Sequence, residues 1–255
     1  MKLPLWLPAL VASLIALNTT AAHAPAVPAY ISNAIADSHR PASDTDQDEN
    51  RKPGAVLTFT GIRPGQKVVD LMPGFGYYTR LFSKIAGPKG NVFAVEPEEL
   101  TQKFPKGLEA MKALASALEY SNVTLLVQPV AGLNLPEHVD MVFTSMNYHD
   151  LHNPMLGSPD MAAFNKSVFD ALKPGGIFLV LDHAAAAGSG FTATNTLHRA
   201  EPAAVKAEVM AAGFEFAGES AVLRNPDDDH SLNVFNKSIR GKTDRFIYKF
   251  RKPVP

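Results

Sequence analysis

Two imidazole–carboxylate pairs are the residues of this chain best equipped for chemistry. His149 and Asp150 follow the apolar run Met141 to Ser145, and Asp182 and His183 follow Ile177 to Leu181. An imidazole titrates near neutrality, so His149 is expected to act as a general base toward a hydroxyl or amine, oriented by Asp150 or another carboxylate. Asn147 and Tyr148 beside it, His198 and His230 are expected to touch substrate, and Arg199 stands next to His198. Each also has a plain structural reading. Asp150 can cap the next helix, His149 can serve as a buried hydrogen bonder, and Asp182 and His183 can be a turn carboxylate and a polar plug ahead of Ala184 to Ala187. The acidic stretch Asn225-Pro226-Asp227-Asp228-Asp229-His230 is either a lid over a pocket or a solvated loop.

A second constellation is built for binding. Val68-Val69-Asp70-Leu71-Met72-Pro73-Gly74-Phe75-Gly76 lies between a predicted strand and a predicted helix. A glycine-rich turn there lets backbone N–H groups approach a ligand at the carboxyl edge of a sheet. Glu96 closes the following strand about 20 residues on, where a carboxylate accepts the ribose hydroxyls of an adenosine cofactor. Asp70, Pro73, Gly74, Gly76 and Glu96 are therefore the cofactor-binding candidates. A nicotinamide dinucleotide is the alternative ligand, but Gly-Phe-Gly-Tyr-Tyr lacks the third glycine of that fingerprint.

The elements that must position these groups alternate. Predicted strands at Lys67 to Leu71, Asn91 to Val95, Val123 to Val127, Met141 to Ser145 and Ile177 to Leu181 are interleaved with helices at Tyr77 to Ile85, Leu108 to Tyr120 and Ala162 to Leu172. Such alternation implies right-handed crossovers and a parallel sheet. A helix at Ala203 to Ala212 ends at Gly213, and two further strands, Phe214 to Val222 and Phe246 to Phe250, flank a long polar connection. Upstream, Pro53 opens a short helix that Gly61 stops, and Pro25 to Lys52 forms an arm with one helix near Ile31 to Asp37.

The turn Asp70-Leu71-Met72-Pro73-Gly74-Phe75-Gly76 resembles the first motif of class I, S-adenosylmethionine-dependent methyltransferases. Met72 stands where that motif has its first glycine, and Gly74 and Gly76 hold the second and third glycine positions. Leu172-Lys173-Pro174-Gly175-Gly176, ahead of a strand, resembles the turn before the fifth strand of the same family. Within it, Asp70 to Thr79, Asn147-Tyr148-His149-Asp150-Leu151 and Asn225 to His230 are similar to a group of exported methyltransferases. The resemblance covers about Pro53 to Pro253. It implies an α/β three-layer sandwich, a mostly parallel seven-stranded sheet with an antiparallel C-terminal strand, S-adenosylmethionine as cofactor, and methyl transfer to a small-molecule acceptor. His149, Asp150, Asp182 and His183 could together hold a divalent metal, but metal-using oxygen methyltransferases of similar fold carry a ligand pattern this chain does not reproduce, so a metal is the minor alternative.

The 255 residues, 46% hydrophobic and 19% charged, suit one sizeable core. A formal net charge of −1 with scattered basic residues argues against a nucleic-acid partner. The absence of cysteine excludes disulfides, thiolate metal sites and a thiol nucleophile. Lys2 ahead of an apolar run from Leu3 to about Leu17, then small residues to Ala24, has the pattern of a signal peptide, with cleavage expected between residues 22 and 26. The expected organisation is a leader over residues 1–24, an arm over 25–52 and a methyltransferase-like domain over 53–255, periplasmic or secreted. No membrane insertion is expected once the leader is removed. Export conflicts with a cytoplasmic cofactor. Two other functions therefore stay open, a lyase, isomerase or hydrolase using the His/Asp cluster without the cofactor, and a non-catalytic binding protein.

Overall fold

A computed structural model describes residues 26–255; the expected leader falls outside the described residues. Short aliphatic and β-branched runs form a seven-stranded sheet: β1 Lys67–Leu71, β2 Asn91–Pro97, β3 Val123–Gln128, β4 Val139–Ser145, β5 Leu172–His183, β6 Glu215–Ser220 and β7 Arg245–Arg251. The order is β3-β2-β1-β4-β5-β7-β6. β1 to β5 pair in parallel, and β7 runs antiparallel between β5 and β6. Strand order reverses beside β1, so the crossovers leave it in opposite directions and a crevice opens at the carboxyl ends of β1 and β4.

The central strands are buried on both faces, and their side chains alternate between two apolar cores. Val69, Phe93, Val142, Phe178 and Val180 face one side, under the helices Met161–Ala171 and Pro202–Ala211. Val68, Val92, Met141, Phe143 and Leu179 face the other, under Ala29–Ile35, Pro53–Thr60, Tyr77–Ala86 and Pro105–Ser116. Each such side chain contributes about 1.5–3 kcal/mol on burial. Asp160 starts the helix Met161–Ala171 by accepting the Ala162 and Ala163 N–H groups, a cap worth about 1 kcal/mol.

Three local outcomes depart from expectation. Lys173 to Gly176 lies within β5, where the pairing shifts register and Gly175 takes φ +76°, so the expected turn is a bulge inside the strand. The helix expected over Leu108 to Tyr120 starts earlier, at Pro105, and ends at Ser116, with a separate 3-10 turn at Leu118–Tyr120. Residues 26–52 carry three short helices, Ala29–Ile35, Ala42–Thr45 and Asp48–Arg51. Buried Arg40 makes two hydrogen bonds to Asp48, at 2.6 and 2.8 Å, and Tyr77 Oη donates to Asp48 at 2.6 Å. Arg80 reaches Asp44 at 3.1 Å. The polar run Asp44 to Asn50 of the arm thus lies against the first turns of the helix Tyr77–Ala86. No helix among the described residues is long and apolar enough to cross a membrane.

Candidate active site

The crevice has two connected chambers of about 750 and 900 Å³ that share Met72, Gly74, Phe75, Asn147, Asp150 and Phe235. The turn after β1 forms their common floor. Met72 takes φ +55°, Gly74 φ +59° and Gly76 φ +83°. Met72 thus keeps the left-handed backbone a glycine would adopt, at about 1–2 kcal/mol of strain. It is held there by its N–H to Val95 O at 2.9 Å and by the Asn147 side chain donating to its carbonyl at 2.8 Å. The Met72 side chain packs into the core and is 5% exposed. A Cβ on Gly74 would meet nothing within 4 Å, so its backbone lies open to the crevice. A Cβ on Gly76 would lie 2.6 Å from Leu114 Cδ1. Gly76 therefore serves helix packing, and Gly74 serves the ligand.

Two carboxylates close this floor. Asp70, at the end of β1, is buried and accepts the Thr79 hydroxyl at 2.6 Å. Burial raises it to about 7, against the opposing Thr79 hydrogen bond. Glu96, at the end of β2, is raised to about 7 by burial and by the Asp70 charge, while the Gly74 N–H opposes the shift. Leu100, Phe104, Pro105 and Leu108 give the Glu96 chamber an apolar wall. Gly74, Glu96 and this wall offer the open backbone, hydroxyl acceptor and apolar cover that the adenosyl part of S-adenosylmethionine requires.

The other chamber holds His149 and Asp150, on the 3-10 turn after β4, and His183 at the end of β5. Asp182 stands behind them, fully buried. It accepts the His149 backbone N–H at 2.7 Å, and its Oδ1 lies 2.8 Å from His149 Nδ1. Burial alone would lower the His149 imidazole, but the Asp182 and Asp150 carboxylates raise it to about 10. The two carboxylates thus favour the protonated over the neutral form of this imidazole. His183 bonds Thr243 at 2.7 Å, and burial together with the neighbouring His149 and Arg245 charges holds it well below its ordinary range. His198 follows the helix Thr194–Leu197 at φ +55° and brings Nδ1 to 3.5 Å from Asp150 Oδ1. Asp150 caps no helix; Asn153 and Asp160 do.

Two expected contacts lie elsewhere. Tyr148 is fully buried in the apolar core beside Phe178, its hydroxyl donating to Glu208 at 2.6 Å and accepting from Asn165 at 2.8 Å. His230 bonds Asp244 at 3.0 Å and is outside both chamber walls. Its loop is fastened by buried Arg199, which pairs with Asp228 through two hydrogen bonds of 2.9 and 3.0 Å and is therefore a structural residue. The part of the long connection that does line the crevice is Val234, Phe235, Arg240 and Gly241, joined by Asp44, Asn50 and Arg51 from the arm and by Arg245. Of these, Phe235 carried no periodic or motif signal in the sequence.

No protein-family profile matches the chain. Over 128 residues it is 30% identical to the ubiquinone/menaquinone biosynthesis C-methyltransferase UbiE of Pasteurella multocida, a match covering 50% of this chain and 43% of that one. The match thus spans less than half of that relative's length. A SAM-dependent methyltransferase from Aquifex aeolicus superposes with a TM-score of 0.58 at 19% identity, covering 83% of this chain and 93% of its own. Aeropyrum pernix fibrillarin, solved with natively bound S-adenosyl-L-methionine, superposes with a TM-score of 0.52 at 16% identity, covering 80% and 76%. The strand order, the single antiparallel strand β7 and these superpositions together give the chain the class I methyltransferase fold.

Proposed function

We propose that the protein is an exported, S-adenosylmethionine-dependent methyltransferase acting on a small polar acceptor. The observation that carries this reading is the floor of the crevice, where the open Gly74 backbone and the buried carboxylates of Asp70 and Glu96 close successive strands. When bound, S-adenosylmethionine supplies a sulfonium-activated methyl group. Glu96 is assigned the ribose hydroxyls, and its apolar chamber the adenine. The methionine end is assigned to the Gly74 turn, with Asp70 beneath it and Asn147 bracing Met72. The acceptor is assigned to the chamber of His149, Asp150 and His183, which Arg51, Arg240 and Arg245 also line. There the chain's contribution is alignment of the acceptor in a walled space. Export rests on the Lys2 and Leu3 to Leu17 pattern.

Calorimetric titration of the purified chain with S-adenosylmethionine and S-adenosylhomocysteine tests the assignment. Micromolar binding that weakens about 100-fold in Glu96→Gln, equivalent to about 2.7 kcal/mol, is the expected result. Absence of binding by well-folded wild-type protein rejects it. Export is checked separately by cell fractionation and the mass of the recovered chain, with retention of the intact leader in the cytoplasm as the opposing result.

A further inference from the structure

The side chains of His149, Asp150 and His198 converge on one point at the boundary of the two chambers. His149 Nε2 lies 3.3 Å from Asp150 Oδ1, His198 Nδ1 lies 3.5 Å from the same oxygen, and all three atoms fall within 4.8 Å of one another. Ligands at 2.0–2.2 Å around a tetrahedral ion are separated by about 3.4 Å. We propose that these three atoms bind one first-row divalent cation, Zn²⁺ foremost, with its remaining coordination positions open to the crevice.

Several independent features prepare the site. Asp150 Oδ1 is sealed from solvent and no donor reaches it in good hydrogen-bond geometry, the two imidazole nitrogens at 3.3 and 3.5 Å being its polar neighbours. A cation between it and the two imidazoles supplies the missing partner. The His149 ring is oriented through Nδ1 by the buried Asp182 carboxylate at 2.8 Å, so Nε2 is the atom that gives up its proton to the solvent and becomes the ligand when a cation binds. A carboxylate behind a ligating imidazole fixes the tautomer and strengthens the ligand. His198 reaches the point only because its backbone is left-handed at φ +55°, a strained conformation for a residue other than glycine. Phe235 packs edge-on against its ring at 4.9 Å.

Two imidazoles and one carboxylate suit zinc and its first-row neighbours better than magnesium or calcium, which take oxygen ligands. His149 and Asp150 line one chamber, and Asp150 and His198 the other. An ion there presents its open positions where the two chambers meet and can polarise an oxygen bound from either. The sequence alone put His149 and His198 in separate roles and offered a metal, as the minor alternative, only His149, Asp150, Asp182 and His183. The 48 residues between His149 and His198 hid the pairing.

The test uses the purified chain without a polyhistidine tag, stripped by chelator and titrated with Zn²⁺ and with Co²⁺. Metal uptake needs no methyl donor, so the result stands apart from that of the cofactor titration. One equivalent of Zn²⁺ should bind, and Co²⁺ should give visible absorption of a low-symmetry site. His198→Ala and Asp150→Asn should each weaken binding about tenfold or more. His39→Ala, half-exposed on the arm, should leave it unchanged. Circular dichroism of the metal-free proteins establishes that each variant is folded, and Asp150→Asn serves should His198→Ala not fold. Absence of stoichiometric uptake by the wild type, or wild-type affinity in a folded His198→Ala or Asp150→Asn protein, overturns the proposal.

Discussion

Alanine at Gly74 and alanine at Gly76 should fail in different ways, although the two residues are neighbours in one turn. Both have positive φ, so each alanine costs about 1–2 kcal/mol in backbone conformation. At Gly76 the new Cβ also lies 2.6 Å from Leu114 Cδ1 and 3.0 Å from Met111 Sδ, both buried on the helix Pro105–Ser116. Overpacking of that kind adds about 1–3 kcal/mol, for a total near 2–5 kcal/mol. That is a large share of the about 5–15 kcal/mol by which a domain is stable. At Gly74 no atom lies within 4 Å of the new Cβ, so only the conformational cost applies. The methyl group instead narrows the crevice floor. Denaturant unfolding followed by far-ultraviolet circular dichroism, paired with S-adenosylmethionine titration, separates the two effects. Gly76→Ala should lose about 2–5 kcal/mol of stability. Gly74→Ala should stay folded and lose affinity about tenfold or more, or 1.4 kcal/mol. Gly76→Ala within about 1 kcal/mol of wild type, or Gly74→Ala with wild-type affinity, would refute the division of labour.

Two further outcomes follow from buried charge. Asp70 and Glu96 sit at about 7 in the folded chain against ordinary values of 3.8 and 4.5, so folding retains protons that the unfolded chain releases between about pH 4 and 7. Their contribution is fully present below about pH 4 and is lost as pH rises through about 7. Asp70→Asn should therefore be more stable than wild type at pH 8, by about 1–3 kcal/mol, with the gap shrinking by pH 5; denaturation midpoints at both pH values check this, and a gap independent of pH defeats it. Arg199→Met should cost about 3–5 kcal/mol, because Asp228 loses its buried partner, while the folded protein keeps its S-adenosylmethionine affinity. Thermal unfolding and titration of the same sample decide it, and a loss of affinity without loss of stability would show that Arg199 reaches the ligand.

Much of the architecture was readable because its causes are local. Runs such as Val68-Val69 and Val92-Phe93-Ala94-Val95 specify strands buried on both faces, and their alternation with helices leaves few topologies open. The glycine turn and Glu96 were legible for the same reason, since their spacing follows from one strand–turn–helix unit and the strand after it. The chemistry on the other wall was only partly legible. His149 and Asp182 were expected at one sheet edge, but a linear pattern cannot tell that the Asp182 carboxylate would face both His149 N–H groups or that Tyr148, one residue earlier, would turn into the core.

What the sequence by itself determined is the order of strands and helices, the composition of the turn after β1 and the presence of acidic groups at two strand ends. Only the tertiary structure decided that Asp48 belongs to Arg40 and Tyr77, that Asp228 belongs to Arg199, and that His198 meets Asp150. The physical reason is range. Strand and turn preferences act over a few residues, whereas a charge or an imidazole finds its partner by where the packed elements leave it, often across many residues of intervening chain.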